Sequence, residues 1–371
     1  MPSWLVKIIL AVYPKIPVSW RPTLKKIFLF TTLRIEAIAT RRSIHSGKRV
    51  EFLDYEIAHL EPFEFLSPAS QQVLVEAKAS CVSPGTERAV LMGLPGARRQ
   101  FPYIPGYSVV GVAQAVGKGV EGIAVGDMVA GRMSHASHGL MSTNSLFKVP
   151  AGVTAEQASF MELGIICLQG IRKARIRPGD RVAVIGQGLI GAMAVRLARV
   201  VGADPIVAVA SSRRRMGPAL KSGGADEFVA LSDSPGAVEK IQADIVIEAV
   251  GSSRAITVGM QAARPGGTVV LLGSSRDLGR GLDWWTLAQQ RNIKVIGAHI
   301  SDVPSTDASE GRWTYLQEGK VFLDLLESGR LDVSDLITWR PRPDECNAVY
   351  ETVAEGGREH VAIVFQWASA N

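Results

Sequence analysis

The feature that most constrains this chain lies at residues 181–202, Arg-Val-Ala-Val-Ile-Gly-Gln-Gly-Leu-Ile-Gly-Ala-Met-Ala-Val-Arg-Leu-Ala-Arg-Val-Val-Gly. Residues 182–185 are a short unbroken apolar run, the pattern of a strand buried on both faces. Gly186, Gly188 and Gly191 follow at G-x-G-x-x-G spacing. Leu189, Met193, Leu197 and Val201 then recur every fourth residue, so the chain leaves the turn as a helix with an apolar face. The first glycine permits a tight turn, the second lets backbone approach a pyrophosphate, and the third lets helix and strand pack closely. Free amides at the helix start, through Leu189 and Ile190, would bind that pyrophosphate. The position between strand and helix is the context such a motif requires.

Residues 153–308 continue as alternating strand and helix, with apolar runs at 206–210, 228–230, 245–251, 268–273 and 293–297. This predicts an α/β fold with a doubly wound parallel sheet. Val250, Gly251 and Gly273, at the ends of later runs, fall where such a sheet meets its dinucleotide. The second strand ends at Ala210 and is followed by Ser211, Ser212, Arg213, Arg214 and Arg215, with no acid. An acid there binds a ribose 2′-OH, whereas Ser and Arg suit a 2′-phosphate. NADP(H) is therefore expected over NAD(H). In the alternative reading the arginines are a solvated helix start and Ser211 serves an NAD ribose.

Residues 49–150 carry short strands between Gly and Pro turns, at 72–79, 106–117 and 125–131, which suggests a rolled sheet or small barrel. The segment after 308 holds a helix at 321–328 and short apolar runs that should return to this sheet. The expected division is an extension at 1–48, a catalytic domain at 49–152 and 309–371, and a dinucleotide-binding domain at 153–308 inserted into it.

The net charge of +6 belongs to one end of the chain. Residues 1–49 hold ten Lys or Arg and one acid, Glu36, while the remainder has 31 bases and 34 acids. No nucleic-acid-binding motif accompanies the basic end, so no nucleic-acid partner is expected. The apolar runs at 4–13 and 24–35 fall short of the roughly 18–20 residues of a membrane span and lack a signal-peptide pattern. They read either as a basic segment in peripheral contact with an anionic membrane or as an extension packed on the body, or a start codon placed too early. Pro14, Pro17 and Pro22 favour the second, because they oppose a long amphipathic helix. Cys81, Cys167 and Cys346 are far apart and suit a reducing, cytoplasmic setting.

The order of parts resembles the medium-chain dehydrogenase/reductase superfamily over about residues 49–371. The resemblance rests on Pro105-Gly-Tyr-Ser-Val-Val-Gly-Val, Val125-Gly-Asp-Met-Val, Val149-Pro-Ala-Gly-Val, Arg177-Pro-Gly-Asp-Arg-Val, Gly186-Gln-Gly-Leu-Ile-Gly, Gly224-Ala-Asp and Pro265-Gly-Gly-Thr-Val-Val. It implies a GroES-like catalytic domain around a Rossmann domain, a nicotinamide cofactor between them, and a homodimer formed through the sheet edge near 293–300. Ser83-Pro-Gly-Thr-Glu-Arg and the stretch at 163–172 are similar to a zinc-independent branch that includes bacteriochlorophyllide-type and sugar-pathway alcohol dehydrogenases.

In zinc-dependent members, cysteine and histidine ligands stand where this chain has Pro84 and Tyr107, and only Glu162 remains near the third position. A catalytic zinc takes about three protein ligands, so none is expected. Thr86 matches the family's relay hydroxyl, and Tyr107 points by resemblance into the vacated place as a donor to substrate oxygen. Glu87 and Glu162 are candidate substrate-orienting or acid/base groups, with His138 as a cleft-lining group and His135 as an exposed one. Each has a bland alternative: Glu87 pairs with Arg88, Tyr107 fills volume, Thr86 caps a turn, and Glu162 starts a helix.

The expected function is NADP(H)-dependent, zinc-independent hydride transfer between an alcohol and a ketone on a small-molecule substrate, such as a sugar, cyclitol or other biosynthetic intermediate. Enoyl or quinone reduction on the same fold is the alternative. A non-catalytic nucleotide-binding or membrane-docked regulator is a further one.

Overall fold

The computed structural model describes residues 21–98, 100–221, 223–274, 281–309, 312–356 and 359–367, the side chains of 21–29 and of Pro235 excepted. The described chain enters through a helix, α1 (Arg21–Thr40), and an antiparallel hairpin, β1 (Ile44–Asp54) and β2 (Ile57–Leu66). Pro22 stands in the first turn of α1, where its missing N–H costs no helical bond, so it starts the helix that the prolines were expected to oppose. Pro14 and Pro17, and the apolar run at 4–13, lie outside the described residues. Residues 44–48 belong to β1, so the hairpin begins inside the expected extension.

The first sheet is built on β3 (Gln72–Cys81), which runs into α2 (Pro84–Leu91). β4 (Val109–Val116), β5 (Met128–Gly131), β6 (His138–Ser142) and β7 (Leu146–Lys148) complete its first part. β4 and β6 flank β3, and β5 joins β4 to β7, all antiparallel. A long helix, α3 (Met161–Ala174), then carries the chain into the second sheet.

That sheet has six parallel strands: β8 (Val182–Ile185), β9 (Ile206–Ala210), β10 (Glu227–Ala230), β11 (Ala243–Glu248), β12 (Ala263–Leu271) and β13 (Lys294–Gly297). α4 (Leu189–Val200) follows β8, and α5 (Ser253–Ala262) follows β11. The order is β10-β9-β8-β11-β12-β13. Direction of winding reverses between β8 and β11, which opens a crevice at their carboxyl ends. Met193 and Leu197 of α4 are fully buried, and so is most of the rest of the helix, including its alanines. Val201, expected on the apolar face, lies beyond the helix end and is partly exposed.

After β13 the chain forms α6 (Tyr315–Glu327), which packs so closely on α3 that a Cβ on Gly164 would stand 2.3 Å from the Phe322 ring. β14 (Ile337–Trp339), α7 (Cys346–Ala354) and β15 (Ala362–Gln366) end the described chain. β15 pairs antiparallel with β3, placing Val364 opposite Cys81 and Phe365 opposite Ser80. The parallel sheet is thus inserted into the rolled first sheet. One apolar cluster runs from Cys81 and Val110 of the first sheet through Ile165 of α3 to Val184 and Ile247 of the second. Among the described residues no helix is long and apolar enough to cross a membrane.

Candidate active site

The glycine turn has the shape its sequence implies. Gly186 has φ +93°, and a Cβ there would lie 2.4 Å from the Val250 side chain. A Cβ on Gly191 would lie 1.8 Å from the Gly186 carbonyl oxygen, so only glycine lets α4 pack against the turn. Gly188 differs: nothing lies within 4 Å of its would-be Cβ, and it is the N-cap of α4 with no side-chain cap. The first turn of α4, with Leu189 and Ile190, therefore starts beside open space at Gly188.

Two further loop ends meet at the crevice. A Cβ on Gly273 would come 2.4 Å from the Gly251 nitrogen. The buried Glu248 carboxylate, at the end of β11, accepts hydrogen bonds from Val250 N (2.7 Å) and Gly251 N (2.8 Å). Sequence reading missed Glu248, whose signal is an acid closing the apolar run at 245–247. Beyond β9, Ser211 and Arg214 are exposed, and the exposed Arg213 is ion-paired to Asp233. Arg215 turns away and donates to the His360 carbonyl.

A polar cluster lies at the edge of the first sheet. Tyr107 donates to Ser83 Oγ at 2.6 Å and is hydrogen-bonded to the Thr86 side chain. Burial raises its phenol well above the ordinary value, so Tyr107 stays a neutral donor. Ser108 donates to the Ser159 carbonyl (2.6 Å) and receives the Glu162 backbone N–H (3.2 Å), which fixes the start of α3 beside Tyr107. The buried Glu162 Oε2 accepts from Arg132 Nε at 3.0 Å, and its Oε1 is buried with no hydrogen-bond partner among the described residues. Burial pushes the Glu162 carboxyl up to about 7, against the pull of Arg132. The Arg132 guanidinium lies over the Tyr315 ring, 4.5 Å from its centroid. The fold thus brings Thr86, Tyr107 and Glu162 together; Ser83, Ser108 and Arg132 were not anticipated.

Three expectations change. Glu87 pairs neither with substrate space nor with Arg88, whose Nε donates to the Ala354 carbonyl. It is buried, and accepts from Tyr350 Oη (2.6 Å) and Ser83 N (2.8 Å), with His135 Nε2 at 3.3 Å. His135, expected to be exposed, is fully buried and also meets Ser80 Oγ at 2.8 Å. His138 lies opposite Glu76 on β3, four residues from Ser80, and stacks near Phe65 at 6.0 Å rather than lining the Tyr107 cluster. Cys81 and Cys167 are buried core thiols.

The donor set at Pro84, Tyr107 and Glu162 does not fit a zinc ion, since it offers one carboxylate, already bonded to Arg132. Among the described residues no group of three or more His, Cys, Asp or Glu side chains is placed to hold a metal.

Comparison with known proteins supports the two-part fold and finds zinc-binding dehydrogenases among the matches. Residues 69–234 match the family described as the alcohol dehydrogenase GroES-like domain, and residues 190–312 match that described as zinc-binding dehydrogenase. D-arabinitol dehydrogenase 1 of Uromyces fabae is 27% identical over 265 residues, covering 61% of this chain and 74% of its own. D-guloside 3-dehydrogenase of Escherichia coli is 28% identical over 243 residues, covering 62% and 68%. Among solved structures, a protein described as a zinc-binding dehydrogenase from Sinorhizobium meliloti, bound to NADP, superposes with TM-score 0.74 at 22% identity, covering 87% of this chain and 99% of that one. Galactitol-1-phosphate dehydrogenase from Escherichia coli gives 0.74 at 19%, covering 86% and 99%. The family matches and the relatives indicate a dehydrogenase-type oxidoreductase. Together the two matches span residues 69–312, and over that stretch the chain is similar to the medium-chain dehydrogenase/reductase superfamily.

Proposed function

We propose that this enzyme is an NADP(H)-dependent, zinc-independent dehydrogenase acting on a polyol or sugar-type alcohol and its ketone. The observation that carries the reading is the Ser83–Thr86–Tyr107 hydroxyl cluster beside the buried Glu162 carboxyl. A bound nicotinamide supplies or accepts the hydride. On substrate binding the Tyr107 proton turns from Ser83 Oγ to the substrate oxygen, and the Ser83 hydroxyl donates to the phenol in its place, with Thr86 beside it. Glu162, with its carboxyl near 7, takes the alcohol proton on oxidation and returns it on reduction. Gly186, Gly188 and Gly191 would hold the diphosphate. Val250, Gly251 and Gly273 would bound the crevice, and Ser211, Ser212 and Arg213 would bind the 2′-phosphate. The Arg213–Asp233 pair is exposed and contributes little, so Arg213 is available to that phosphate.

The names of the relatives, several of them polyol and sugar dehydrogenases, support a hydroxylated substrate. The exposed Trp284 and Trp285 and the free edge of β13 support a homodimer joined through that edge. Buried free cysteines suit the cytoplasm. Exposed Phe30, Ile35 and Ile38 on α1 support peripheral membrane contact through residues 1–48. The test is a panel of polyols and ketoses followed by NADPH absorbance. Turnover with at least one pair, and preference for NADPH over NADH, is expected; turnover with none would overturn the reading.

A further inference from the structure

A cavity of about 570 Å³ opens on the opposite edge of the parallel sheet from the dinucleotide crevice. It lies at the amino ends of β11, β12 and β13, under the last turn of α3. Seven of its fifteen lining residues are Lys or Arg and three are Asp. Arg172 is held by the buried Glu318, at 2.7 and 2.9 Å, and Arg175 also has a partner, which leaves the remaining cations to be explained. Lys173 and Arg312 share Asp302, at 2.7 and 3.2 Å, and Arg264 takes Asp244 at 2.6 Å. Asp180 accepts the backbone N–H of Arg177 at 2.7 Å. Among the described residues, the exposed Arg177 and Lys294 side chains have no carboxylate within ion-pair distance.

The bland explanation, cations set against the helix dipole, covers Arg172 and Lys173 in the last turn of α3 and Arg175 at its C-cap. The others come from separate segments: the turn before β8, the start of β12, β13 itself and the loop before α6. Convergence of like charge from so many segments costs energy through self-repulsion unless an anion offsets it. The lining adds Thr268, which stands opposite Ile245 on one side and Lys294 on the other, and the apolar Ile245 and Ile296. The volume is in the range of metabolite sites, too large for a single inorganic ion.

We propose that this cavity is a second binding site, for a phosphorylated small molecule, separate from the reaction site. Guanidinium and ammonium groups would pair its phosphate oxygens and its body would cover the apolar part of the lining. α3 joins the two sites: Glu162 stands in its first turn, and Arg172 and Lys173 in its last.

The test is calorimetric titration of inorganic tripolyphosphate into the full chain saturated with NADPH, at matched ionic strength, with citrate as the carboxylate comparison. Wild type is expected to bind one tripolyphosphate per chain, and citrate more weakly. The exposed-site variants Arg177→Gln, Lys294→Gln and Arg177→Glu/Lys294→Glu should weaken it progressively, the last by about tenfold or more, with NADPH titration unchanged. Absence of binding, binding indifferent to these substitutions, or binding abolished by saturating NADPH would overturn the assignment. The NADPH titration reports on the dinucleotide site by itself, so failure of the cavity and failure of the proposed cofactor reading are distinguishable.

Discussion

Glu162 and Arg132 stand 3.0 Å apart in unequal surroundings: the carboxylate is 2% exposed and the guanidinium 48%. Burial dominates the arginine's pull, so the carboxyl titrates near 7 rather than near 4.5. In the pH–rate profile an inflection near 7 is expected, and Glu162→Gln should remove it while lowering kcat/KM by about a hundredfold. Stability carries the opposite sign from a paired carboxylate. The folded state holds this proton up to about pH 7 and the unfolded chain releases it near 4.5, so stability falls as pH rises between those values. Denaturation of wild type and Glu162→Gln at pH 5 and pH 8 checks this, with the variant losing less on going to pH 8.

Tyr107→Phe removes the proposed donor to substrate oxygen and leaves Ser83 without its phenol. A loss of about a hundredfold in kcat/KM is expected, with the Kd for NADPH unchanged. Stopped-flow hydride transfer and cofactor titration separate the two effects.

The glycines of the turn should fail in different ways. Gly191→Ala forces a methyl against the Gly186 carbonyl oxygen, at 1.8 Å before relaxation, and should destabilise the fold by about 1–3 kcal/mol. Gly188→Ala meets no protein atom within 4 Å. It should fold normally and yet weaken NADPH binding by about tenfold, since its methyl fills space meant for the diphosphate. Thermal melts with and without NADPH distinguish the two.

Much of the fold was legible because the signal is local. Four consecutive apolar residues give β8, and the glycine spacing gives the turn that follows. The β1–β2 hairpin was not legible, since its buried Val50 and Phe52 follow a charged, exposed start. The candidate site was legible in part. Thr86, Tyr107 and Glu162 were anticipated by resemblance, but Arg132 sits just past a strand end with no periodic signal. Glu87 and His135 were misjudged because their partners are remote in sequence: Tyr350 lies 263 positions from Glu87, and Ser80 55 from His135. A buried polar network of that span is invisible before folding.

That network yields its own prediction. Glu87→Ala leaves the Tyr350 hydroxyl, the Ser83 amide and His135 short of an acceptor inside the fold. A loss of about 2–4 kcal/mol is expected in urea unfolding, with Glu87→Gln losing less.

The proposed preference for NADPH rests on Arg213. Arg213→Ala should raise the Kd for NADPH by about tenfold and leave that for NADH unchanged. An equal effect on both cofactors would place Arg213 outside the 2′-phosphate site.

The most direct test is turnover by the enzyme after exhaustive dialysis against a strong zinc chelator, with bound metal measured on the same sample. Full NADPH-linked activity with far less than one zinc per chain is the expected result. Activity lost on chelation and restored by one equivalent of zinc would contradict the assignment of substrate polarisation to Tyr107, Thr86 and Glu162.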